Sequence, residues 1–238
     1  MAKIRRDSWT MSPRARLLCL VAVLGLAFAG IAEASVAPRL IETPAAAPGD
    51  AMAVLYSGDG GWGPLDRGVA QVLARDGIPV LGVNSLRYFL TRRPPQAVAD
   101  DLADQLRLHQ ARWGRQKIVL VGYSFGADAL PAIVPLLPAD LRGQIRSVVL
   151  IGTGPHGDLV FHPANWLNRP TAHSFPVAPA VEALKGLSMT CIYGDKERLD
   201  ICPTLPATTI RQVKLAGGHH FDGDYAGLGQ AVLKAATL

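Results

Sequence analysis

The chain has 238 residues, 49% hydrophobic and 18% charged, which excludes a disordered segment and supplies material for one good core. Lys and Arg number 24 against 19 Asp and Glu, a formal net charge of +5, and three cysteines exclude a disulfide-dense mini-scaffold. Where those charges and cysteines lie decides what the basic balance means.

Lys3, Arg5, Arg6, Arg14 and Arg16 precede an unbroken apolar run over residues 17–29, followed by Ala32-Glu33-Ala34. A positive start, an apolar stretch of about a dozen residues and a small-x-small exit read as an export signal, since a bilayer span needs about 20 apolar residues. Cleavage is predicted after Ala34. Cys19 stands at the start of the run, not at its exit, so it is no lipoprotein anchor and leaves with the signal. Without residues 1–34 the balance is 19 basic against 17 acidic residues, a net charge of +2 on 204 residues. No Lys/Arg run or basic stripe with interleaved aromatics remains, so nucleic acid is excluded as a partner. Cys191 and Cys202 are left in an oxidising compartment, where they are expected to form a disulfide.

Residues 35–50, with Pro38, Pro44 and Pro48, are predicted as an extended arm, order beginning near Ala51. Short β-rich apolar runs follow at 51–56, 79–83, 117–121, 148–151, 189–193 and 209–215, separated by helical patterns. Val98, Leu102, Leu106, His109 and Trp113 recur at helical spacing behind Pro94 and Pro95, and a last helix runs through Tyr225, Leu228, Val232 and Leu233. Strand alternating with helix implies an α/β protein, a mostly parallel sheet flanked by helices on both faces, over residues 51–238. Residues 152–180, rich in proline and without periodicity, are predicted as a loop excursion near the ligand.

The third strand runs into Gly122-Tyr123-Ser124-Phe125-Gly126 with a helical stretch behind it. A serine on a sharp strand-to-helix turn is the nucleophile elbow of the α/β-hydrolase fold, with glycines where side chains would collide with neighbouring elements. A hydroxyl needs a histidine base and an acid to orient it, and this fold supplies them in the order Ser, acid, His. Asp195, just past the fifth strand, is the expected acid, with Glu197 and Asp200 on the same loop as alternatives. The base comes from Gly217-Gly218-His219-His220-Phe221; His219 is favoured because Gly-Gly-His with an aromatic two residues on resembles the histidine loop of serine thioesterases, and His220 stays open. The oxyanion needs two backbone donors, expected from Phe125 and from the loop after the first strand at Asp59, or alternatively Gly58. His109 is expected to pack in the core, His156, His162 and His173 to lie on the surface, and no ligand spacing suggests a zinc site or other metal.

LYSGDGGW at 55–62, NSLRYF at 84–89, GYSFGADALP at 122–131 and GGHHFDGDY at 217–225 together resemble the VirJ/AcvB family of bacterial virulence-associated serine hydrolases, in its single-domain VirJ form. The resemblance implies a periplasmic enzyme that cleaves the aminoacyl ester of lysyl-phosphatidylglycerol without a cofactor. It also admits contact with the membrane surface and with secretion-system proteins. Such a substrate calls for basic groups on its phosphate, for which Arg87, Arg92 and Arg93 after the second strand are candidates, and an acidic group on its lysyl ammonium, for which Asp128 is one. The alternatives are a periplasmic esterase or thioesterase with another acyl substrate, and a non-catalytic accessory module of virulence or secretion.

Overall fold

A computed structural model describes residues 39–162 and 170–237. The export signal with its cleavage site, and the first part of the arm, lie outside these residues. The chain order is β1 (Leu40–Thr43), β2 (Ala51–Tyr56), α1 (Pro64–Arg75), β3 (Val80–Val83), α2 (Ser85–Tyr88), α3 (Pro95–Trp113), β4 (Lys117–Tyr123) and α4 (Phe125–Ile133). It continues with α5 (Ala139–Arg142), β5 (Ile145–Ile151), β6 (His156–Gly157), β7 (Phe175–Pro176), α6 (Val177–Glu182), β8 (Met189–Gly194), β9 (Arg211–Leu215) and α7 (Tyr225–Ala236).

Seven strands form one sheet in the order β1-β3-β2-β4-β5-β8-β9, and β6 and β7 make a separate two-stranded ribbon in the excursion. The pairs from β3 to β9 are parallel and β1 is antiparallel to β3. After β2 the chain goes first to β3 on one side and then to β4 on the other. This reversal opens a crevice at the carboxyl ends of β2 and β4, where open α/β sheets bind ligands.

Side-chain alternation along the strands builds two cores. Met52, Val54, Ile118, Leu120, Val148 and Leu150 face one side and pack with Leu102 and Leu106 of α3 and Leu130 and Ile133 of α4. Ala53, Leu55, Val119, Val121, Val149 and Ile151 face the other side with Val69 and Leu73 of α1 and Leu228 and Val232 of α7. Strands buried on both faces read as continuous apolar runs, so they were legible without any alternation in polarity.

The predicted arm is corrected at one place: Leu40–Thr43 is an edge strand in register with Val83–Val80, and Asn84 N–H donates to the Arg39 carbonyl at 2.8 Å. Four residues reading Leu-Ile-Glu-Thr, only half-buried between prolines, carry no pattern of their own. Their partners lie 37 to 43 residues away, so only the closed sheet shows them as a strand. β5 likewise begins at Ile145, three residues ahead of its apolar run, because Ile145 and Ser147 pair with Ile118 and Val119 of β4; beside them Arg146 pairs with Asp50. The Arg146 guanidinium holds the Asp50 carboxyl below the usual carboxylate range.

Candidate active site

Ser124 sits between β4 and α4 with φ +52° and ψ −118°, a region that non-glycine residues rarely occupy. Its N–H donates to the Ile151 carbonyl at 2.8 Å and its carbonyl accepts the Asp128 N–H at 3.0 Å, which fix the strained backbone on both sides. A Cβ on Gly122 would stand 2.5 Å from the Gly126 carbonyl oxygen, and one on Gly126 would stand 2.3 Å from the Tyr56 carbonyl oxygen. The two glycines therefore let α4 start against its own strand and against β2. Gly126→Ala must separate α4 from β2, because its clash is with backbone; overpacking of this kind costs about 1–3 kcal/mol. At about 2–4 °C per kcal/mol for a chain of this size, a thermal melt should show a drop of several degrees.

His219 Nε2 lies 2.9 Å from Ser124 Oγ. On the other side of the ring, Nδ1 lies 3.2 Å from Glu197 Oε2. The expected acid is thus corrected: the Asp195 carboxylate does not face the imidazole but accepts the Gly217 N–H at 2.8 Å, while Asp195 N–H donates to Leu215. Asp195 ties the end of β8 to the start of the histidine loop. A turn closed by Glu197 N–H on the Gly194 carbonyl carries the chain past Asp195, and the longer glutamate side chain reaches back to the ring. Glu197 Oε1 also accepts the N–H groups of Arg198 and Leu199, which fixes the carboxylate.

The histidine doublet separates cleanly. His220 is exposed, and its Nδ1 lies 2.9 Å from the Tyr123 hydroxyl, which donates to the His219 carbonyl at 3.2 Å. Tyr123, buried beside the serine, also lays its ring 5.4 Å from that of His219. Partial burial holds the His219 imidazole below its ordinary value, with the neighbouring His220 acting in the same direction and the Glu197 charge against it. A base with a lowered pKa keeps its free nitrogen as pH falls. The acid limb of a pH–kcat/KM profile should therefore lie below the ordinary imidazole value of about 6.5.

Phe125 opens α4, so its N–H has no carbonyl four residues back within the helix. Gly58 lies against the serine, since a Cβ there would meet Ser124 Cβ at 3.3 Å. Asp59 lines two cavities that both reach Ser124. One cavity, of about 230 Å³, is bounded by Asp59, Asp128, Glu197, Asp200 and the 152–154 backbone. The other, of about 530 Å³, is bounded by the glycine-rich loop 58–63, Asp66, Tyr123, His220 and Tyr225. Ser124 and His219 stand in the wall of each.

The three arginines are not brought there. Arg93 donates to the Tyr88 carbonyl and to Asp101, each at 3.0 Å, and its guanidinium stacks 4.2 Å from the centroid of the Tyr88 ring. Arg92 is exposed with Nη1 3.5 Å from His173 Nε2, and Arg87, on the short helix α2, lines neither cavity. Their place after the second strand was legible; Arg93 is held by Tyr88 at the end of α2 together with Asp101 of α3, a pairing that needs the two helices packed together. Asp128, in contrast, lies on α4 one turn beyond Ser124, lines the smaller cavity and accepts the Gly154 N–H at 2.7 Å. Burial pushes its carboxyl well above the usual range, and the nearby Asp200 and Asp59 add to the effect.

Cys191 on β8 and Cys202 are bridged, with Cα atoms 5.7 Å apart, and bracket the loop that carries Glu197 and Asp200. Asp200 accepts the Cys202 N–H at 2.7 Å, and burial pushes its carboxyl up to about 7. The start of the excursion lies at the site, as Gly152, Thr153 and Gly154 line the smaller cavity. His109 packs on Trp113, donates from Nδ1 to the Gln105 carbonyl at 2.8 Å and places Nε2 3.4 Å from Glu42 Oε1, buried in the core as its helical spacing predicts.

A sequence model of the bacterial virulence protein VirJ matches residues 50–237. The chain belongs to the VirJ family. No curated protein matches it. Among solved structures, Est1E from Butyrivibrio proteoclasticus superposes with a TM-score of 0.58 at 11% identity, covering 84% of this chain and 94% of that one. The thioesterase domain from the curacin biosynthetic pathway gives 0.54 at 17% identity over 82% and 94%. XC6422 from Xanthomonas campestris, an α/β serine hydrolase without a lid, gives 0.54 at 17% identity over 83% and 87%. These likenesses establish that the VirJ-family chain has the α/β-hydrolase fold.

Proposed function

We propose that this VirJ-family protein is a periplasmic serine hydrolase that cleaves the aminoacyl ester of lysyl-phosphatidylglycerol. The observation that carries the reading is the contiguous Ser124–His219–Glu197 line, 2.9 Å and 3.2 Å between successive groups, with the serine on a strained elbow. The substrate rests on the family, and the location on the export signal read in residues 1–34.

In this mechanism Ser124 Oγ attacks the acyl carbonyl as its proton passes to His219 Nε2. Glu197 holds Nδ1–H, setting the tautomer that leaves Nε2 free and stabilising the imidazolium that forms. The N–H of Phe125 and one from the 58–59 loop bind the oxyanion. His219 returns the proton to the departing lipid alcohol, leaving an aminoacyl-serine. Water, deprotonated by the same nitrogen, attacks that ester; Ser124 recovers its proton and the amino acid leaves. The partly buried, neutral imidazole suits the base role near neutral pH.

Incubating the purified protein with vesicles containing lysyl-phosphatidylglycerol should release free lysine, read by mass spectrometry. Turnover of short acyl esters without release of lysine would replace the lipid by another acyl substrate. Absence of serine labelling by a fluorophosphonate on the folded protein would instead favour an accessory module.

A further inference from the structure

We infer that Tyr123 is a positioning residue for the base and that His220 acts through it: a hydrogen-bond chain from His220 Nδ1–H to the Tyr123 hydroxyl to the His219 carbonyl sets His219 against the nucleophile. The inference rests on the serine-hydrolase reading and adds to it the residues that place the imidazole.

The loop that carries the base takes a shape its own backbone does not favour. Phe221 and Asp222 turn through φ of +52° and +48°, a region that residues other than glycine rarely occupy, and such strain persists only where the surroundings impose it. One anchor lies ahead of the histidine, where the Gly217 N–H donates to Asp195 and the Gly217 carbonyl accepts the Lys196 N–H at 2.9 Å. Another lies behind it, where Phe221 is buried and Lys196 Nζ meets Asp222 Oδ2 at 2.8 Å. The bonds within the loop, from Phe221 N–H to the Gly218 carbonyl and from Gly223 N–H to the His220 carbonyl, pass the His219 carbonyl by. That carbonyl accepts from the Tyr123 hydroxyl at 3.2 Å.

The place of Tyr123 in the chain gives this bond its effect. It is the last residue of β4, the middle strand of the sheet, and directly precedes Ser124, so the tie refers the base to the residue beside the nucleophile. The phenol ring lies 5.4 Å from the imidazole, and a Cβ on Gly152 would stand 2.9 Å from His219 Cε1 and 3.6 Å from Tyr123 Cε2. Imidazole, phenol and the end of β5 thus leave no room for a side chain between them. Burial pushes the phenol further above its ordinary range, so at neutral pH it keeps its proton and donates. A hydroxyl has one hydrogen, and with it committed to the His219 carbonyl the 2.9 Å contact to His220 is closed by an N–H on Nδ1 of that ring. His220 therefore fixes the rotation of the hydroxyl. A small misplacement of a reacting group is enough to lower the rate, which is how residues outside the proton transfer come to matter for it.

The test measures kcat and KM for a short acyl ester together with the rate of fluorophosphonate labelling, which reads serine activation without turnover. Tyr123→Phe keeps the ring and removes the donor. It should lower kcat and the labelling rate together by about threefold to tenfold, the rate equivalent of one hydrogen bond, with KM within about twofold of wild type. His220→Ala should lower both by about twofold to threefold, and His220→Asn, whose amide can still donate to the hydroxyl, should restore most of that loss. Combined with Tyr123→Phe, His220→Ala should have no further effect, because the two residues act along one chain. Unchanged kcat and labelling in a folded Tyr123→Phe overturns the positioning role, and additive losses in the double variant overturn the chain through His220. Since His220 is exposed, its variant decides the matter if Tyr123→Phe melts below the assay temperature: an unchanged labelling rate in His220→Ala then overturns the inference. His220→Ala as inactive as His219→Ala would make His220 the base and overturn it as well. A wild type that neither cleaves the ester nor takes the label would overturn the serine-hydrolase reading itself.

Discussion

Ser124→Ala is expected to lower kcat for ester hydrolysis by about 10⁴-fold or more while leaving the melting temperature within a few degrees of wild type. In the proposed mechanism the large effect follows from the loss of the atom that forms the acyl-enzyme; what remains is the binding of the ester and its oxyanion. The small effect on stability follows from what holds the elbow. The Ser124 backbone bond to Ile151 and the two glycine contacts do not involve Oγ, and alanine meets the same φ of +52° with the same Cβ. Ser124→Gly provides the internal control, because it also removes Oγ but relieves the backbone. It should be equally inactive and more stable, by up to about 1–3 kcal/mol for release of such strain, less glycine's own entropy cost. Calorimetry of the two variants beside wild type checks both halves. An active Ser124→Ala would end the serine mechanism.

Glu197→Gln is expected to cost about 10³–10⁴-fold in kcat with little change in stability, and Asp195→Asn to do much less to turnover. The carboxylate 3.2 Å from His219 Nδ1 accepts only, so it fixes the proton on Nδ1 and leaves Nε2 to take the serine proton. An amide can donate instead, and the ring then holds its proton on Nε2, where it cannot act as base. Replacement of the orienting acid in a triad by its amide has an effect of about this size. Among the described residues the Asp195 carboxylate accepts from the Gly217 N–H and not from His219, so its amide variant keeps an acceptor oxygen for that bond and its effect should show in the melting curve. Steady-state rates and melting temperatures of the two variants decide between the acids. Loss of activity in Asp195→Asn with an active Glu197→Gln would reverse the assignment.

The contrast between these two acids shows where local reading stops. Asp195 stands where the strand ends and its position suits the role, yet the chain turns once more through the Glu197-to-Gly194 bond before a carboxylate meets the imidazole. Which of three acids on one loop arrives is set by that turn, by the bridge between Cys191 and Cys202 and by the course of the 217–221 loop, which are separated along the chain. The arginines fail for a related reason. Arg93 follows the second strand as a phosphate ligand should, but Asp101 and the Tyr88 ring claim its guanidinium. The histidine pair was resolved by Tyr123, which bonds the carbonyl of one and the ring of the other.

By itself the sequence determined the alternation of buried strands and amphipathic helices, the elbow at Ser124 with the glycines it needs, and a histidine loop after the last strand. These depend on residues near one another in the chain: periodicity sets which face is apolar, and the sharp turn admits no side chain at Gly122 or Gly126. Only the tertiary structure decided that Leu40–Thr43 joins the sheet, that Glu197 meets His219 Nδ1, and that Asp128 and Asp200 line one small cavity. Each of those is a contact between segments far apart in sequence, and its existence depends on loop paths and bond directions that no local pattern encodes.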